Sequence, residues 1–144
     1  MLGYNVEYVN DADDKTIMKI AMDENRVILT GDVELYKQAT NRHIESFLVE
    51  GRSEAERLAV VSRRFSLSLD FNPEISRCPK CNAQVRKAKK EEIGDRIPSS
   101  TRSYYEEFWE CQKCGKVYWQ GAHWKRIFET LGKARGIRDA NEAA

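Results

Sequence analysis

The stretch RVILTGD, Arg26 to Asp32, decides how the first half of this chain folds. Val27, Ile28 and Leu29 form an apolar run that closes on Thr30, Gly31 and a carboxylate, Asp32. Such a run, ended by a small residue and an acid, predicts a buried strand whose end opens on a cleft. Asp32 then has two readings. It caps the following helix, or it helps to hold a divalent cation over a substrate. One carboxylate seldom holds such an ion alone, so the second reading requires partners elsewhere.

Working outward, VEYV (6–9) is β-branched and aromatic and predicts a strand. In NDADDKTIMKIAMDENR (10–26), Ile17, Met18, Ile20 and Ala21 fall at helical spacing behind Asp11, Asp13 and Asp14. Carboxylates at a helix start accept its free N–H groups and suit its dipole. VELYKQAT (33–40) predicts a second helix and IESFLV (44–49) contains a third strand. Strand and helix alternating at this spacing imply an α/β fold with a mostly parallel sheet. SEAERLAVVSRRF (53–65) opens with Ser53 three residues before Glu56, a capping box, and carries the stripe Leu58, Val61, Phe65. The proline and the change in charge within LSLDFNPE (67–74) place a boundary there, so residues 1–72 form the first domain.

Beyond it the texture is short β-like pieces with knuckles, a loop GDRIPSSTRS (94–103), and a closing helix with Trp124, Ile127, Phe128 and Leu131 at helical spacing. The second domain spans 73–135, and 136–144 is expected to be a flexible tail. Net charge is +1, but residues 1–72 carry −4 and residues 73–144 carry +5. That asymmetry suggests metal-binding acids in one half and an anionic partner for the other, against the plain alternative of scattered surface charge. No apolar run reaches membrane-spanning length and the N-terminus lacks a signal-peptide pattern, which predicts a cytoplasmic protein without a membrane partner.

The four cysteines form two pairs, Cys78/Cys81 in RCPKCN and Cys111/Cys114 in ECQKCG. Each Cys-x-x-Cys turn can aim both sulfurs at one ion, and 29 intervening residues leave room for a hairpin to join the pairs. Asn82 and Gly115 follow the pairs and tolerate the left-handed turn of a zinc knuckle. Four thiolates leave no open position, so the zinc is structural, and Arg77, Lys80, Lys113 and Lys116 would offset its excess negative charge. Redox dithiols, disulfides and an iron–sulfur cluster are the competing readings.

Around this centre cations alternate with aromatics: Arg86, Lys87, Lys89 and Lys90, then Tyr104, Tyr105, Trp109, Tyr118, Trp119 and Trp124. The mixture suits phosphate contact and base stacking, and the four cations of RKAKK are the candidate nucleic-acid ligands. Small zinc modules also need aromatics to build a core, which is the plainer role for Trp109 and Trp124. His123 reads as a packing or capping residue, and His43 carries no signal.

LGYNVEYVNDADDKTIMKIA, RVILTGDVELY, RCPKCN and ECQKCGKVYWQGAHW together resemble the Mut-seven C-terminal ribonuclease-domain family, from Leu2 to about Leu131. The resemblance implies a PIN-like parallel-sheet nuclease domain followed by a small four-cysteine zinc ribbon. It implies a Mg²⁺ or Mn²⁺ site of clustered carboxylates at the C-terminal ends of the strands, cleaving RNA. Asp32 matches the acid of the family's Thr-x-Asp element; Asp14 matches the acid at the start of the preceding helix, with Asp13 as the fallback.

Two departures stand out. Gly31 replaces a residue that is usually larger or basic. The sequence also starts at Met1-Leu2-Gly3-Tyr4, where family members place a strand ending in Asp and a basic, Leu-rich helix upstream, so the domain is expected to be N-terminally truncated. The expected function is a PIN-like metal-dependent ribonuclease with a zinc-ribbon RNA-binding module, started too far downstream or borrowing an acid within an oligomer. The alternative is a catalytically inactive zinc ribbon that binds RNA or protein.

Overall fold

Asp13 starts the first helix, α1 (Asp14–Glu24), by accepting the Thr16 N–H at 2.8 Å. Asn25 ends it in the left-handed conformation, φ 53°. The RVILTGD segment then supplies β1 (Ile28–Thr30), and Asp32 caps α2 (Val33–Asn41). The next strand, β2 (Ser46–Leu48), pairs with β1 in parallel, Ile28 opposite Ser46 and Thr30 opposite Leu48. Helix α3 (Glu54–Phe65) is capped by Ser53, which accepts the Glu56 N–H; the Glu56 carboxylate reaches back one residue further than a capping box requires, to the Arg52 N–H. Met18, Ala21, Ile28, Leu35, Ala39 and Ile44 close over one another as the core of this α/β layer.

The computed structural model describes residues 2–142, which group into two compact units, 8–67 with 137–142, and 2–7 with 68–136. VEYV (6–9) is not a strand. A strand exists only where a neighbouring backbone completes its hydrogen bonds. Here the Val6 N–H goes instead to the Asn82 side chain, and Tyr8 is 86% exposed. The parallel sheet among the described residues therefore has two strands, not three. Leu29 of β1 and the neighbouring Val27 stay substantially exposed.

The other unit is built on a three-stranded antiparallel sheet in the order β3 (Val85–Ala88), β4 (Phe108–Cys111), β5 (Val117–Tyr118). Phe108, Ile93, Ile97, Ala88 and Val117 fill one side of it. GDRIPSSTRS, expected as a loop, contains a 3₁₀ turn (Gly94–Arg96) and helix α5 (Ser99–Tyr104), which follow the short α4 (Lys90–Ile93). Residues 2–7 dock on the first cysteine turn. Gly3 adopts φ +90° with its Cα so close that a Cβ would lie 2.6 Å from the Ile75 carbonyl, and Arg77 donates to the Gly3 carbonyl. The closing helix α6 (Ala122–Glu142) does not fray after residue 135. Arg138 donates to the buried Ser62 hydroxyl, which gives the last turns a partner; Ala143 and Ala144 of the expected tail lie outside the described residues. No helix among the described residues is long and apolar enough to cross a membrane.

Candidate functional site

The three-residue connection from α1 to β1 forces the helix to run antiparallel to the strand on which it packs. The N-terminus of α1 therefore lies at the C-terminal end of the sheet, the end from which Asp32 projects. Asp13 and Asp14 thus begin α1 and Asp32 begins α2, and no three of the carboxylates gather within metal-ligating reach among the described residues. The three carboxylates are not equally engaged. Asp13 is exposed and tied to Thr16, whose hydroxyl and N–H hold its pKa below the ordinary value. Asp14 is half-buried and makes no hydrogen bond or ion pair among the described residues. Asp32 accepts the Glu34 and Leu35 N–H groups at 2.8 and 3.3 Å through Oδ1 alone, while its own N–H is held by the Thr30 hydroxyl at 3.0 Å. Its second oxygen has no partner among the described residues. A carboxylate offers about four lone-pair sites, so capping and cation binding are compatible in one side chain. The Val49 N–H bonds the Thr30 carbonyl at 2.8 Å and brings Glu50 to the same end of the sheet, an acid the motif reading passed over. Its signal in the sequence is its position directly after the strand FLV.

The cysteines are drawn much closer together. All four are free, and their Sγ atoms lie within 4.8 Å of one another, a grouping of metal-ligating side chains found nowhere else among the described residues. Sulfurs at about 2.3 Å from a tetrahedral zinc stand about 3.8 Å apart; Cys78 to Cys114 measures 3.7 Å and Cys81 to Cys111 measures 3.2 Å. Each pair sits on a tight turn closed by Asn82 N–H to Cys78 O and Gly115 N–H to Cys111 O, with Asn82 at φ 63° and Gly115 at φ 75°. The Lys113 and Cys114 N–H groups both point at Cys111 Sγ, at 3.4 Å.

The thiols do not ionise alike. Burial opposes the thiolate of Cys78, but the Tyr118 hydroxyl at 2.9 Å and the Cys81 and Lys80 N–H groups outweigh it and bring this thiol down to about 6. Cys111 is lowered too: burial opposes its thiolate, and the Cys114 and Lys113 N–H groups prevail. The Ala83 N–H favours the thiolate of Cys81, yet Cys111 beside it and desolvation push it up to about 11. Four gathered thiolates repel one another, and a dication is what allows all of them to ionise together. Zinc fits this donor set. Tyr118, whose hydroxyl orients Cys78, was not singled out as a ligand-orienting residue from its spacing.

The sequence of residues 1–131 matches the pattern of the Mut7-C RNAse domain family. The chain belongs to that family. No curated protein and no solved structure matches it. As a Mut7-C chain it carries a nuclease-like domain signature together with the cysteine cluster described above.

The candidate RNA ligands of this Mut7-C chain are placed less simply than their clustering suggests. Arg86 pairs with Glu110 directly opposite it on β4, Lys87 with Glu107 at 3.2 Å and Lys90 with Glu106 at 3.2 Å; Lys89 alone of the four has no carboxylate partner among the described residues. Glu110 is buried and also binds Arg96 at 2.7 Å, which in turn donates to the Gly115 carbonyl behind the second cysteine turn. Arg96 thereby ties that turn to β4, and Arg86 holds the same carboxylate from β3. Trp109 and Trp124 are 6% and 8% exposed and stack at 5.9 Å, the packing role foreseen for them. His123 is exposed at the start of α6.

Proposed function

We propose that this protein is a PIN-like, metal-dependent ribonuclease whose zinc ribbon binds RNA. The observation that carries the reading is Asp32: in a chain of a ribonuclease-domain family, its carboxylate ends a strand at the C-terminal edge of a parallel sheet with one oxygen unengaged. Asp14, half-buried and unpartnered at the same edge, is the second ligand. One or two carboxylates completed by water and substrate phosphate oxygens is the usual way in which Mg²⁺ is held. When bound, Mg²⁺ or Mn²⁺ supplies an activated water and offsets the charge developing on the scissile phosphate. Asp32 keeps its carboxylate aimed outward because Oδ1 is anchored on two N–H groups of α2. Lys89, with Lys87 and Lys90 after exchange of their exposed partners Glu107 and Glu106, holds the RNA backbone, while Arg86 stays on the buried Glu110; exposed pairs are worth only about 0–1 kcal/mol, so phosphate can replace them.

The test is cleavage of a labelled single-stranded RNA by the purified chain. Cleavage should appear with Mn²⁺ or Mg²⁺, stop with EDTA, and return with excess Mg²⁺. RNA binding without any metal-dependent cleavage would favour the second reading, a non-catalytic zinc-ribbon module. One observation speaks for that reading: the thiols are gathered in one cluster and the carboxylates are not.

A further inference from the structure

The ribbon unit contains a cavity of about 440 Å³, within the range of small-ligand sites, that neither the carboxylate edge nor the cysteine cluster uses. Four aromatic rings share its walls with Pro73, Pro79, Val85 and Val117. Trp109 and Trp124 lie nearly parallel, 20° apart, as one wall. Tyr118 is fixed by its hydroxyl on Cys78, and Trp119 is half-buried. Gly121 lets the Trp119 indole lie against the chain, since a Cβ there would come within 3.2 Å of its Nε1.

Two cations border these walls. The Lys116 Nζ sits 5.6 Å from the centre of the Tyr118 ring, and Arg77 is held by the Gly3 and Asn82 carbonyls at 3.1 and 3.0 Å. Among the described residues neither has a carboxylate partner, in contrast to Arg86, Lys87 and Lys90. Flat apolar walls with unneutralised positive charge at the border complement a ligand that is flat and apolar in one part and anionic in the next.

We propose that this cavity takes one unstacked nucleobase of a single-stranded RNA, with Arg77 and Lys116 on the flanking phosphates. The proposal rests on the RNA reading above and gives the ribbon a base-binding subsite distinct from the cations of RKAKK. Bases stacked on aromatic side chains bind without demanding a sequence, because every base has a π-face.

The test uses the full chain in its zinc-loaded form, without added Mg²⁺ or Mn²⁺, and a labelled RNA of about ten nucleotides, within the span that single-stranded binders cover. A second RNA of equal length and charge carries abasic residues at its centre. The intact RNA should bind roughly 5- to 150-fold more tightly than the abasic one, and it alone should quench tryptophan emission. Trp119→Ala should erase that difference. Should that variant fail to fold, the exposed Lys116→Gln carries the test, lowering the salt slope of binding by about one phosphate contact. Equal affinity of the wild type for both RNAs would overturn the subsite while leaving RNA binding in place, and would leave the cavity to an apolar protein side chain. No binding of either RNA would overturn both proposals.

Discussion

The helix cap seen at Asp32 and the metal role proposed for it can be separated by substitution. Asp32→Asn retains a carbonyl oxygen where Oδ1 accepts the Glu34 and Leu35 N–H groups, and asparagine caps helices about as well as aspartate. It loses the charge near the helix dipole, worth about 0.3–1 kcal/mol, and the anionic oxygen offered to a cation. Asp32→Ala loses the cap as well, a further ~1 kcal/mol. In a unit of this size each kcal/mol moves Tm by about 4–8 °C. The alanine variant should therefore melt roughly 4–8 °C below the asparagine variant, which itself lies a few degrees below wild type. Cleavage should not follow that order. Both variants should lose it by on the order of 100-fold or more, beyond the 10- to 100-fold typical of outer partners of a metal site. The assays are thermal unfolding by far-UV circular dichroism and metal-dependent cleavage of a labelled RNA. An Asp32→Asn protein that cleaves at the wild-type rate would refute the metal role and leave Asp32 a helix cap. An alanine variant as stable as the asparagine variant would refute the cap.

Three further outcomes are expected. Asp14→Asn should lower cleavage, whereas Asp13→Asn, which preserves the cap on Thr16, should leave it unchanged; the reverse result would transfer the role to Asp13. One zinc per chain should be found by elemental analysis, and its removal by a strong chelator should shift tryptophan emission to the red, because all three tryptophans lie in the ribbon unit. Retained emission after complete zinc loss would show that the ribbon stands without metal. The Arg96 guanidinium, then Arg86, hold Glu110 below the usual carboxylate range. Its contribution is therefore full above the unfolded pKa, about 4.3, and lost as pH falls through the lowered folded value. Glu110→Gln should be less stable than wild type by on the order of 1 kcal/mol at neutral pH, since both arginines are largely solvent-screened. The two proteins should converge in acid; a gap that persists there would refute the ion-pair account.

Signals carried by a few adjacent residues were legible without coordinates. Ser53 and Asp32 cap their helices because a cap needs only the N–H groups two or three residues ahead. The two Cys-x-x-Cys turns were legible because each turn's geometry is local, down to the left-handed Asn82 and Gly115. Features that depend on distant partners were not legible in the same way. VEYV has the composition of a strand, but a strand is completed by another backbone, and Val6 meets a side chain instead. RKAKK looks like a free basic patch until β4 and the turn before it set Glu110, Glu107 and Glu106 against it. The tail looks unstructured until Arg138 finds Ser62, 76 residues away.

The sequence by itself indicated the helix and strand order from α1 to α3, the caps of those helices, the four cysteines able to share one ion and the family. All of these rest on interactions within a turn or on spacing along the chain. Only the tertiary structure decided which cations are already neutralised, that the Tyr118 hydroxyl meets the Cys78 thiol, and that three tryptophans and a tyrosine help to line a cavity. These depend on which side chains meet across strands, and a linear spacing holds no record of that.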